Sequence, residues 1–151
     1  MLIDTIMRGP KVQVYNGQFF FLDTYRDRWL STYRHTFSFG LNNKNISSNR
    51  YMTAIDGIYT NNNGYNLIRN SVITGLSVRT DDISDCEFHI RRNGVETDIT
   101  SILLSTVEHN EIEMLNIDLD KGDFLQIFME VKSGNVDYPL LSVEVCWRHD
   151  D

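Results

Sequence analysis

A chain of 151 residues, 41% hydrophobic and 11% aromatic, is long enough to fill one core and too short for two. Its 21 acidic residues against 14 basic ones leave a net charge of -7, a field that argues against nucleic acid and anionic membrane as partners. No apolar run approaches the roughly 20 residues that span a bilayer, and Met1–Thr5 lacks the basic start and apolar stretch of a secretion signal.

Residues 1–16 are expected to form an N-terminal arm and the start of a first hairpin, and residues 17–151 a single sandwich domain. Gly9-Pro10 stops any helix begun at Leu2. The apolar Leu2, Ile3, Ile6 and Met7 of the arm need cover, from the sandwich or from a neighbouring chain. Lys11 to Tyr15 and Gln18 to Leu22 flank Asn16-Gly17, a pair that takes positive φ at low cost and so predicts a hairpin. Phe19-Phe20-Phe21 breaks alternation and places rings on both sides of its strand, so both sides should be covered, one of them by another subunit. In the following segment Asp23 and Asp27 offset Arg26 and Arg28, which favours ion pairs around a docked Trp29 over a nucleic-acid stacking surface.

Thr32 to Phe39 alternates again, with Tyr33, His35, Phe37 and Phe39 on one side. Leu41 to Arg50, rich in Asn and Ser, predicts an exposed loop, and Tyr51 to Tyr59 resumes a strand pattern. Asn61-Asn62-Asn63-Gly64 is a turn in which Asn62 to Gly64 suit left-handed conformations.

Ser71 to Trp147 predicts a succession of short strands. Val72, Thr74, Leu76 and Val78 alternate with Ile73, Gly75, Ser77 and Arg79; Cys86, Phe88 and Ile90 with Glu87, His89 and Arg91; Leu141, Val143, Val145 and Trp147 with Ser142, Glu144, Cys146 and Arg148. Asn93-Gly94, Lys121-Gly122-Asp123 and Ser133-Gly134-Asn135 supply turns, Thr97 to Leu104 is a strand, and Pro139 belongs at the start of the last one. So many one-sided strands bury their apolar faces most simply as two antiparallel sheets packed face to face. Cys86 and Cys146 fall on opposite sides of this alternation and are expected to be free thiols.

The residues offer no catalytic or cofactor signature. His35, His89, His109 and His149 are scattered without metal-ligand spacing. Asp81-Asp82, Asp118, Asp120 and Asp123 do not follow a calcium-loop pattern and suit solvated loops. There is no nucleophile elbow, phosphate loop or dinucleotide fingerprint. The expectation is a non-enzymatic protein with no metal and no cofactor.

Gly75-Leu76-Ser77-Val78, Phe88 to Gly94, Ile117 to Ile127 and the closing Leu141 to Arg148 resemble jelly-roll modules of tailed-bacteriophage virion proteins, found in head fibres, decoration proteins and collar or tail fibres. Asp23 to Gly40 is similar to a stretch that precedes the jelly roll in some of these, and the likeness spans about three quarters of the chain. Leu119-Asp120-Lys121-Gly122-Asp123-Phe124-Leu125 also resembles a turn and strand of tumour necrosis factor-like trimeric jelly rolls. The resemblance implies an all-β antiparallel jelly-roll sandwich, a homotrimer packing its rings around a threefold axis, and a place in the virion after synthesis in the host cytoplasm. Docking on itself or on a capsid, collar or tail protein would then use Leu2, Ile3, Ile6, Phe19, Phe21, Trp29, Tyr33 and Phe37. An alternative is a receptor- or glycan-binding module at a fibre tip, with Tyr59, Asn62 and Tyr65 touching a host surface glycan.

Overall fold

A computed structural model describes residues 11–54 and 62–149. Its regular elements are all strands: β1 (Val12–Tyr15), β2 (Gln18–Asp23), β3 (Arg28–Ser31), β4 (His35–Gly40), β5 (Arg50–Tyr51), β6 (Thr53–Ala54), β7 (Tyr65–Asn66), β8 (Ser71–Arg92), β9 (Asp98–Ile112), β10 (Ile117–Leu119), β11 (Phe124–Ser133) and β12 (Leu140–His149). Every strand pairing among the described residues is antiparallel.

Ser71 to Arg92 is one strand of 22 residues and Asp98 to Ile112 one of 15, which corrects the expected run of short strands. The polar Asp81-Asp82 bends the strand instead of ending it. Between the pairs Arg79↔His109 and Ser84↔Val107, four residues of β8 oppose one of β9, an enlarged bulge that turns the ribbon sharply. Buried Thr80 and Ser84 hydroxyls hold the bend by donating to the Asp82 carbonyl, at 2.7 and 2.9 Å.

On either side of the bend β8 belongs to a different layer. Its first half pairs with β12, which continues to β4 and, through β3, to β2 and β1. Its second half pairs with β11, which continues to β5 and β7. The two layers enclose one core in which Phe39, Ile73, Leu141 and Val143 of the first meet Phe88, Ile90, Leu104, Leu125, Ile127 and Met129 of the second. The result is an antiparallel, sandwich-like all-β domain.

A smaller bulge changes the expected side of two residues. The ladder passes from Glu144↔Gly75 to Val145↔Ile73 and skips Thr74. Ile73 therefore joins Leu76 and Val78 in the main core, while Val72 turns to the opposite face and packs with Leu30 and Cys146. Cys86 lies in the main core, so the two buried thiols are free and belong to different clusters. Burial, helped by the nearby Asp85 charge, pushes Cys86 up to about 12, which keeps it a thiol at neutral pH.

The local turn chemistry follows the sequence at both Asn-Gly pairs, where Asn16 and Gly17 have φ of 48° and 74° and Asn93 and Gly94 of 58° and 73°. Pro139 immediately precedes β12. Two loop expectations need correction. Ile46 is buried and bridged to Val136, so the Asn-rich segment 41–50 is pinned to the body at its middle. Asn63 and Gly64 do not adopt positive φ; Gly64 is needed because a Cβ there would stand 2.2 Å from the Leu125 carbonyl oxygen. Of the Tyr51 to Tyr59 strand, the described part is short β5 and β6 separated by buried Met52, and residues 55–61 lie outside the described residues.

Exposed Thr106 has φ of 57°, at the position where β9 is skipped in its pairing with β8. A β-branched residue is strained in that region, by about 1–3 kcal/mol. Thr106→Gly relieves the strain and loses part of the gain to chain entropy. The variant should be about 0.5–1 kcal/mol more stable than the parent in urea unfolding; an equal or lower midpoint would contradict the strained assignment.

Candidate functional site

The alternating face of β4 runs from the core to the surface: Phe39 and Phe37 are buried, His35 is half-buried and Tyr33 is 53% exposed. His35 is opposite Val145 of β12, which brings it beside Trp147, with ring centroids 4.7 Å apart at 60°. Tyr33 meets the same imidazole edge-on at 4.7 Å. From the other layer Tyr65 on β7, held by its pairing with Leu125, stacks flat on Phe37 at 4.2 Å. Between these rings, at the edge where the layers part, is a cavity of about 190 Å³. His35, Phe37, Tyr65, Leu67, Val145 and Trp147 wall it, and Thr36, Asn66 and exposed Ile68 complete its lining. The exposed Arg69 guanidinium lies over Trp147, 5.5 Å from the ring centroid, a cation–π arrangement.

The first hairpin forms a second surface. Its register puts Val12 and Val14 on the same side as Phe21 and Phe19, with Phe21 leading onto Leu30. Phe21 is half-buried against the small cluster around Leu30, whereas Val12, Val14 and the 58%-exposed Phe19 are open to solvent. On the other side Phe20 is buried, and Tyr15 stacks on His149 at 4.6 Å.

Two ion clusters brace the molecule. Arg28, whose side chain is only 5% exposed, donates to Asp118, to Asn116 and, at 3.2 Å, to Asp23. Asp118 also receives Arg26 and Arg148. Burial alone would raise the Asp118 carboxyl and lower the Arg28 guanidinium; the contact between them outweighs it and shifts both the other way. These arginines occupy Asp118, so it belongs to a structural ion cluster and not to the calcium grouping considered from sequence.

In the second cluster His89 has one ring nitrogen on Asp98 and the other 2.9 Å from Glu130. Glu87, His89 and Glu130 bring metal-ligating atoms close together. The Lys132 ammonium, 2.8 Å from Glu130 and 3.1 Å from Glu87, already occupies the cationic position. Hydrogen bonds from Ser101 and then Lys132 hold Glu87 below the usual carboxylate range, and those from Lys132 and His89 do the same for Glu130. The cluster ties β8, β9 and β11 together. Sequence placed His89 on the wet face without this role, because its carboxylates come from other strands.

Of the residues expected at an interface, Phe19 and Tyr33 are exposed, Phe21 and Trp29 are half-buried, and Leu2, Ile3 and Ile6 lie outside the described residues. Phe37 is a correction: it is 7% exposed, inside the core of its own subunit. Tyr65, expected at a sugar, is 39% exposed on the cavity wall; exposed Asn62 is not among the wall residues, and Tyr59 lies outside the described residues. Sequence placed His35 and Trp147 on apolar faces and gave Arg69 no role; the three were not brought together there, since the cavity joins three segments remote in the chain.

No family model and no curated protein matches the chain. Among solved structures, the nucleoplasmin-like N-terminal domain of Drosophila FKBP39 is similar at 15% identity, over 77% of this chain and 92% of that one, with a TM-score of 0.38. A likeness that slight carries neither fold detail nor function across.

Proposed function

We propose that this chain is a non-enzymatic structural module of a tailed-bacteriophage virion, a homotrimeric jelly roll whose N-terminal region seats it on a capsid, collar or tail protein. The observation that carries the reading is the open apolar face of the first hairpin, Val12, Val14 and Phe19, which follows an apolar sequence that includes Leu2, Ile3 and Ile6. Contiguous apolar surface of this kind is characteristic of a contact between chains. The bent β8–β9 ribbon shared by two layers and the resemblance of the strand segments to virion jelly rolls support the rest. Covering the hairpin face would contribute roughly 25 cal/mol per Å² before the cost of association.

The purified protein should have a trimer mass at micromolar concentration in sedimentation analysis. Phe19→Glu should shift that mass toward the monomer while changing unfolding stability by no more than about 0.5 kcal/mol, as expected of an exposed position. A monomeric parent protein sinks the trimer, and a trimer indifferent to the substitution removes the hairpin from the interface.

A second reading, glycan binding at a fibre tip, is favoured by one feature. Tyr65 stands half-open on the wall of an aromatic cavity that remains accessible at the edge of the sandwich.

A further inference from the structure

Rings packed against rings are ordinary core, and most of the Phe37–Phe39 cluster is that. The edge cavity differs in having space, a mouth and a charge. At about 190 Å³ it holds roughly six waters' worth of liquid volume, less than the 300 Å³ or more typical of sites for larger ligands. One six-membered ring fills it. Two walls are aromatic, Trp147 with His35 on the first layer and Tyr65 with Phe37 bridging the layers, and such walls suit the C–H face of a pyranose. The half-buried His35 ring on the wall offers a hydrogen bond to a sugar hydroxyl.

The charge selects further. On a chain with a net charge of -7, acidic groups cover most arginines: Arg26, Arg28, Arg34, Arg79, Arg91, Arg92 and Arg148 each lie within 4 Å of a carboxylate. Arg69 and Arg50 do not, among the described residues; the Arg69 guanidinium lies over the ring of Trp147, a wall residue, and Arg69 follows Ile68 of the lining without being part of it. A guanidinium held this way offers a planar pair of donors to a carboxylate.

We propose that the cavity binds a single pyranose ring bearing a carboxylate, with the sugar's apolar face on the Trp147 and Tyr65 rings and its carboxylate on Arg69. This rests on the glycan-binding reading and adds the class of sugar to it. Neutral sugars should enter with the same stacking and lack the ionic contact, so preference rests on Arg69 and fades with salt.

The test uses the full chain, ¹⁵N-labelled, titrated with methyl glucuronide and separately with methyl glucoside, which differ only at the carboxylate. The two indole N–H resonances separate the site from the rest: Trp147 should shift saturably, and Trp29, on the hairpin side, should not. The glucuronide should bind at least about fivefold more tightly than the glucoside at low salt. Arg69→Gln should bring the two to parity, Arg69→Lys should restore part of the preference, and Tyr65→Ala should weaken both. Arg69 is exposed, so these variants should retain the spectrum of the folded parent away from the cavity. Parity in the parent protein overturns the acidic-sugar assignment and leaves glycan binding standing. No saturable shift with either sugar overturns both. A Trp147 shift on protein dilution that neither sugar alters overturns both in favour of a side chain from a second copy filling the cavity.

Discussion

Arg28→Met should destabilise the domain by about 3 kcal/mol, read as a lowered urea midpoint with an unchanged denaturant slope. The guanidinium is almost wholly enclosed and serves three acceptors, Asp23, Asn116 and Asp118, that come from two parts of the chain remote in sequence. Methionine fills much of the same volume, so the loss reports the stranded acceptors and not a cavity. The figure is at the lower end for a broken buried ion pair, because Asp118 is partly exposed and keeps Arg26 and Arg148. The pH dependence follows from the depressed Asp118 carboxyl. Its stabilising contribution is complete above the ordinary unfolded carboxyl value of about 3.9 and is lost as pH falls through the lower folded value. Asp118→Asn should therefore be less stable than the parent at neutral pH and converge on it in acid. Parallel curves across that range would show that the pair contributes nothing.

Gly64→Ala should cost about 2–3 kcal/mol, a large effect for one methyl group. Its Cβ would meet the Leu125 carbonyl oxygen at 2.2 Å and the Gln126 Cγ at 3.0 Å. Backbone cannot swing aside as a flexible side chain does, so β7 must move away from β11. Because the next residue is Tyr65, the same displacement should separate its ring from Phe37 and open the edge cavity. The expected readouts are a lowered midpoint and a chemical-shift change at the Trp147 indole. A near-neutral Gly64→Ala would mean that β7 adapts freely, and with it the wall that Tyr65 provides.

What the sequence disclosed divides by the range of the interaction. The Asn16-Gly17 and Asn93-Gly94 turns and the start of the last strand at Pro139 were legible because their causes are local, in φ preference and a missing donor. The layered all-β character was legible from alternation. The long reach of β8 was not, since Asp81-Asp82 has the composition of a turn and only the buried Thr80 and Ser84 hydroxyls and the facing strand make it a bend. The skipped Thr74 was equally hidden, and it exchanged the faces of Val72 and Ile73. For Phe37, alternation identified an apolar side but not its cover, which is Tyr65 from the opposite layer and not a neighbouring subunit. Arg69 and Trp147 are far apart in the chain, and nothing short of the folded edge brings them together.

The shared β8–β9 ribbon bears on how the protein comes apart. Each half of it is a central strand of one layer, and both layers face one shared core, so melting either layer uncovers the apolar face of the other. Loss of structure should be all-or-none, with tryptophan fluorescence and backbone circular dichroism tracing coincident denaturation curves. Refolding should also be slow, because β8 pairs with β12 and β12 with β4 across long stretches of chain.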